Sequence, residues 1–433
     1  MNKYFFNNRL CISVLMLLSA VMAKAEDFKT YFTDNTLRVN FTLGGNANKQ
    51  DILINNLVKT DRWFGRRNNM DELPVEGNAQ FELKDKRTGK TIYRNSFSTL
   101  FQEWITYPEA KTTTRAFENV ILMPMPKDSA VLTIQLRNNR REVVKSLSET
   151  IAPTDILIRK GTKTTAPYQT LLAAADTSKC IRIAFLAEGY TKQEMQKFIN
   201  DAKIATDALF EHEPFKTYKD RFNIIAVEAP SKDSGTSVPR KGEWKETALG
   251  SNFDTFYSER YLTTLNLFKV HDWLQGTPYE HIIILVNTDV YGGGGILNFY
   301  NLAATGHPYY KPVTVHEFGH SFAGLADEYA YESEPLDMYP KDVEPWEPNI
   351  TTLKDFHGKW ENLIKKGTPV PTPEKAMKRG GKNTTVGLYQ GAGYDLKNVY
   401  RGMQDCRMRT NSYPEFCTVC RNALEKLIKF YTE

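Results

Sequence analysis

The stretch HEFGHSFAGLADEY, residues 316–329, concentrates the side chains in this chain that can do chemistry. His316 and His320 are four apart, and Glu317 directly follows the first. On a helix, residues four apart lie about 40° from eclipsed, so both imidazoles leave one face. Two imidazoles so placed can reach one zinc ion at about 2.0–2.1 Å. Glu317 points to the neighbouring sector, where a carboxylate serves as base toward a zinc-bound water. Gly324 can end the helix and turn the chain, bringing Asp327 back as a third ligand and leaving a fourth position for water. Glu328 is the rival ligand, or a carboxylate that buttresses a histidine. The bland alternative is a core helix with two satisfied histidines. Two buried imidazoles and a buried glutamate on one apolar helix would be costly without a metal to organise them.

These residues need a scaffold. Pro312 sits near the start of an apolar segment that reads as a buried helix. Upstream, residues 180–190 read as a buried strand. Residues 191–210 have helical spacing at Met195, Phe198, Ile199 and Ala202, with Thr191 and Glu194 as a capping box. Residues 221–230 and 281–290 read as further strands and 254–274 as a helix, which together predict a layered α/β domain. The run YGGGGILNFYNLAAT, residues 291–305, is either a loose loop or the edge strand of a peptide cleft, its main chain open to an extended substrate. No Gly-Lys-Ser/Thr follows it, so it is not a nucleotide loop.

Residues 26–160 have a different pattern. Short, often alternating segments at 36–43, 79–85, 90–97, 118–126 and 129–137 predict a β-sandwich, with DKRTGK as a turn. RWFGRR, residues 62–67, reads as a solvated loop rather than a binding patch. The first 25 residues, with Lys3 and Arg9 before CISVLMLLSAVMA and a small-residue Ala23-Lys24-Ala25 end, read as a signal peptide cut before Glu26. Removing Lys3, Arg9 and Lys24, with no acids lost, takes the net charge from +5 to +5 − 3 = +2. That balance gives no case for nucleic acid or an anionic membrane. With 41% hydrophobic residues the chain can build real cores. No later apolar run is long enough to span a bilayer. The expectation is an exported monomer in three parts: 1–25 leader, 26–160 β-sandwich, 161–433 catalytic domain.

HEFGHSFAGLADEY resembles the metzincin-like zinc peptidases, in which a glycine turn precedes the last ligand. Here the glycine is eight and the aspartate eleven residues after the first histidine, one more than the usual pattern. With Asp-Glu-Tyr following, and with the late CRMRTNSYPEFCTVC (residues 406–420), the chain resembles the IgA peptidase family, metallopeptidase family 64. The resemblance implies an α+β multidomain protein, its β domain followed by a zincin catalytic domain, and hydrolysis of an extracellular protein or glycoprotein, immunoglobulin-like proteins included. It also implies a methionine turn under the zinc, with Met408 the better match and Met403 the rival. Tyr329 and Tyr413 are supporting residues: either could donate to the oxyanion, but a structural role is the commoner one for a tyrosine at these places. Two other readings stay open: a peptidase or amidase for cell-wall peptides, and an exported binding module with structural zinc.

Four cysteines follow the leader: Cys180, Cys406, Cys417 and Cys420. An oxidising compartment predicts a disulfide among the late three, with Cys180 free. Their spacing is also part of a zinc knuckle, for which the sequence offers no identifiable fourth ligand. Residues 419–431 have apolar positions that fit a terminal helix packed by one face.

Overall fold

The computed structural model describes residues 28–162, 165–331, 338–375 and 384–433. The leader at 1–25 lies outside them. The architecture is α+β, with several sheets and a β-rich N-terminal region.

That region holds two four-stranded sheets. The strands are β1 (Phe32–Gly45), β2 (Gln50–Thr60), β3 (Ala79–Asp85), β4 (Thr91–Phe97), β5 (Arg115–Pro126), β6 (Ala130–Arg137), β7 (Val143–Ile151) and the short β8 (Arg159–Lys160). The sheet orders are β5-β1-β2-β8 and β4-β3-β6-β7. In β6, Ala130, Leu132, Ile134 and Leu136 are buried and the residues between them are not, the period-two pattern of a strand with one wet face. Phe41 of one sheet meets Phe97 of the other edge-on at 6.1 Å. Three strands were not anticipated: β2, β7 and the two-residue β8. The mid-strand pair Asn55-Asn56 hides β2; Asn56 accepts from Asn40 at 2.9 Å and Asn55 from Thr42 at 2.8 Å. β7 is mostly exposed and polar.

RWFGRR is a seam between the two halves of the chain, not a solvated loop. Arg66 is buried between the rings of Tyr93 and Phe430, and its backbone N–H donates to Glu280 at 3.0 Å.

The second half is built on a six-stranded sheet. Its strands are β9 (Tyr168–Leu172), β10 (Ile181–Glu188), β11 (Phe222–Val227), β12 (His281–Val286), β13 (Gly293–Ile296) and β14 (Tyr300–Ala304), in the order β13-β14-β12-β10-β11-β9. The four inner strands are parallel and both edges antiparallel. Every residue of β12 is buried, as expected of a parallel strand covered on both faces. Helix α1 (Met195–Phe210) follows the capping box, where the Thr191 N–H donates to Glu194 at 2.9 Å. The helix expected over 254–274 is shorter: only α2 (Leu267–Leu274) is α-helical. Asp254, Phe256 and Tyr257 are left-handed, and the chain from there wraps over β13.

Helix α3 (Tyr310–Ala323) carries the histidines and lies on β13 and β14. A Cβ at Gly295 would fall 2.4 Å from the Glu317 carbonyl oxygen and 2.9 Å from His320 Cβ. The glycines therefore let a strand touch the helix backbone. The run is no loose loop: Gly293–Ile296 form the edge strand of the sheet, and Tyr261 makes a parallel bridge with Gly293 on its outer side. A small sheet follows, β15 (Ile350–Thr351), β16 (Tyr389–Ala392) and β17 (Asp395–Arg401), and the chain ends in α4 (Thr418–Thr432). Leu424, Leu427, Ile428 and Tyr431 form the buried face of α4. Among the described residues, no helix is long and apolar enough to cross a membrane.

Candidate metal centre

His316 and His320 leave one face of α3 with their Nε2 atoms 3.0 Å apart. Gly324 caps the helix in the left-handed conformation, φ 61°, and its N–H returns to the His320 carbonyl. The chain reverses there. Asp327 Oδ1 arrives 3.1 Å from His316 Nε2 and 3.3 Å from His320 Nε2.

The arrangement fits a cation. Each imidazole spends its Nδ1 on a backbone carbonyl: His316 on Arg407 at 3.0 Å, His320 on Leu325 at 2.5 Å. A ring nitrogen facing a carbonyl must donate, so in the neutral imidazole Nε2 carries a lone pair. Asp327 Oδ1 is buried and receives no hydrogen bond. Three acceptors therefore converge on one point. Three corners of a tetrahedron with bonds of about 2.0–2.1 Å would stand about 3.3 Å apart. The charge balance agrees. Burial opposes ionisation of Asp327, but the facing imidazoles outweigh it and hold the carboxyl far below its ordinary range. Burial likewise opposes a charge on His320, yet Asp327 pushes it up to about 9.

Glu317 lies beside this trio, its carboxylate against Gly293. Burial raises its pKa, and the two histidines work against that rise. Met408 is fully buried, its sulfur 2.8 Å from where a Cβ at Gly319 would stand, directly against the histidine helix. Its carbonyl accepts the Glu328 N–H at 2.8 Å, while the neighbouring Arg407 carbonyl holds His316. The turn at 406–409 thus grips both the helix that carries His316 and the segment that carries Asp327. Met403 sits elsewhere, its sulfur facing the Thr418 N–H at the start of α4.

Other expected residues fall differently. Glu328 buttresses neither histidine. Glu328 turns away from the trio toward Cys420 and Cys417. All four described cysteines are free thiols, so the expected disulfide is not formed. The Tyr329 hydroxyl lies 3.0 Å from that of Tyr394. Tyr413 follows the methionine turn, its N–H donating to Thr410. Of the remaining histidines, His212 spends Nδ1 on Ala208 and faces Arg407 with Nε2, His271 pairs with Tyr279, and His357 with Glu361. His307 packs on Tyr291, and His281 on Phe322.

Two participants had no sequence signal. Tyr394, at the tip of the β16–β17 hairpin, donates to Asp327 Oδ2 at 2.7 Å. Since its one proton goes there, the Tyr329 hydroxyl donates to Tyr394. Tyr291, which follows β12, has its phenol raised by burial and further by the nearby charge of Glu317. Both reach the site from loops whose position depends on the sheets.

The whole chain was compared with known proteins. No curated protein matches it. Residues 27–148 match the family described as Peptidase M64 N-terminus, and residues 170–384 and 374–428 match IgA Peptidase M64. Those matches span most of the sequence, including the histidine helix and the methionine turn, and the chain belongs to the IgA peptidase M64 family.

Proposed function

We propose that this member of a peptidase family is an exported zinc endopeptidase of zincin architecture. One observation supports it above the others: the donor-less Asp327 Oδ1 stands between two imidazole Nε2 atoms, with Glu317 alongside. His316, His320 and Asp327 would hold the Zn2+. When bound, the ion supplies Lewis acidity and makes water acidic enough to attack near neutral pH. Glu317 takes the proton of the attacking water on its carboxylate and delivers it to the leaving amine. Its raised pKa suits both halves of that task. Tyr394 and Tyr329 hold Asp327 in place, and the Arg407 and Leu325 carbonyls hold the imidazoles. Tyr291, whose phenol is raised in part by the charge of Glu317 and whose hydroxyl accepts from Asn411 at 3.1 Å, is a candidate donor to the developing oxyanion. Met408 supports α3 from below, as in the metzincin-like reading. The substrate would be an extracellular protein or glycoprotein, with immunoglobulin-like proteins one candidate, met by a monomer after the leader at 1–25 is removed.

The test is Glu317→Gln. It should retain metal and lose cleavage by about 10²–10⁴-fold or more, because ligands stay while the base is gone. Wild-type rates in that variant would end the proposal. A digest of a peptide library beside peptidoglycan fragments separates a protein substrate from a cell-wall one. A binding module with structural zinc would cleave neither.

A further inference from the structure

Asp327 and Glu328 are adjacent but serve two different pockets. Beyond Glu328 lies a second cluster, made with Cys406, Cys417 and Cys420. All four residues are buried, Glu328, Cys406 and Cys420 completely. Their ligand atoms lie within 4.8 Å of one another. Cys406 Sγ and Cys420 Sγ are 3.7 Å apart. Glu328 Oε1 is 3.0 Å from Cys420 Sγ and 3.9 Å from Cys417 Sγ.

These spacings can be compared with two chemistries. A disulfide brings two sulfurs to about 2.0 Å. A tetrahedral zinc with Zn–S near 2.3 Å and Zn–O near 2.0 Å puts sulfurs about 3.8 Å apart and sulfur and oxygen about 3.5 Å apart. The observed values fit the second. The donor set agrees. A disulfide would use two sulfurs and leave a third thiol buried beside a carboxylate. Glu328 Oε1 accepts from Asn349 Nδ2 at 3.0 Å, but Oε2 has no partner, and a buried, half-satisfied carboxylate is costly. Backbone amides support the sulfurs as anions: the Cys417 N–H points at Cys406 Sγ at 3.1 Å, and the Cys420 N–H at Cys417 Sγ at 3.5 Å. Cys417 caps α4, so a Cys-x-x-Cys pair sits at a helix start, where the dipole favours negative charge.

We propose that Glu328, Cys406, Cys417 and Cys420 bind a second, structural Zn2+ with a closed set of four protein ligands. Binding releases the thiol protons to solvent. With no open position the site does no chemistry of its own. It joins three segments: the loop after α3 that carries Asp327, the turn at 406–409 that holds His316 through Arg407, and the first turn of α4. The three late cysteines are three of the four ligands of a metal site, and the fourth, for which the sequence offered no candidate, is the neighbour of Asp327. The inference does not depend on peptide cleavage.

The experiment uses the full mature chain, purified without chelator or reductant. Elemental analysis should find about two zinc ions per wild-type chain and about one in His316→Ala/His320→Ala, which removes only the first site. Denatured wild type, with metal removed, should alkylate at all four cysteines. Cobalt loaded into the double histidine variant should show a near-ultraviolet sulfur-to-cobalt charge-transfer band, absent from the same variant carrying Cys417→Ser and Cys420→Ser. If the cysteine variants do not fold, the histidine variant and the alkylation count still decide. A folded histidine variant without metal, or wild type two hydrogen masses light and short of two alkylations, would overturn the proposal. Failure of the peptidase reading would appear instead as a two-metal protein that cleaves nothing.

Discussion

Tyr394→Phe isolates what holds the third ligand. The substitution deletes one oxygen, whose proton goes to Asp327 Oδ2 at 2.7 Å. It leaves the left-handed backbone at position 394, φ 65°, no more strained than before. A hydrogen bond to a charged group contributes about 1.5–3 kcal/mol. At about 1.4 kcal/mol per tenfold, its loss should weaken zinc binding by about 10- to 150-fold. Supports behind metal ligands typically account for about 10–100-fold, which agrees. Tyr329 can compensate in part, because its hydroxyl lies 3.0 Å from that of Tyr394. The variant with both tyrosines changed to Phe should therefore lie at the upper end. The assay is peptide cleavage in buffers of fixed free zinc. The midpoint should move to higher zinc, while the rate at saturating zinc stays near wild type because Glu317 and the histidines are intact. An unmoved midpoint, or a lost rate at saturation with an unmoved midpoint, would refute the positioning role.

Asp327→Ala should lose the active-site metal, read by elemental analysis; full retention would make it a bystander. Gly295→Ala puts a methyl 2.4 Å from the Glu317 carbonyl oxygen, so strand or helix must shift, destabilising the fold by about 1–3 kcal/mol; thermal melts check this, and an unchanged Tm would contradict the close approach. Glu103, which accepts from Tyr261 at 2.5 Å, is pushed up to about 7, chiefly by burial and against hydrogen bonds from Tyr261 and Tyr107. A carboxyl whose folded pKa is raised lends stability at low pH and loses it as pH rises, here from about 4.5 to about 7. Glu103→Gln should thus gain Tm relative to wild type across that window, and a constant difference would show that Glu103 does not titrate there.

Local patterns were legible where local rules decide them. The period of four at His316 and His320, the glycine that ends α3, the alternation of β6 and the apolar face of α4 all follow from backbone geometry acting over a few residues. The sequence failed where a distant contact overrides local preference. Asn55 and Asn56 sit in a strand because Thr42 and Asn40 across the ladder donate to them. Residues 254–266 stay out of a helix and lie over β13. Arg66 is buried because two aromatic rings and Glu280 surround it.

By itself, then, the sequence determined the chemistry on offer: two imidazoles and a carboxylate in one helical turn, a returning aspartate, and a methionine to go beneath. The histidines, Glu317 and Asp327 are close in the chain, so spacing alone relates them; Met408 lies on a distant segment and was marked only by the family resemblance. Only the tertiary structure decided which carboxylate serves which pocket. Asp327 and Glu328 have nearly the same chemistry and adjacent positions, and what separates them is what each side chain meets: the two histidines for one, Asn349 and the cysteines for the other. Tyr394, 67 residues from Asp327, and the cysteine trio, 78 or more from Glu328, meet their partners through loops closed by sheet pairing and by the packing of α4. No local rule reaches across such separations, because each loop's path is set by cores that form only when the whole chain folds.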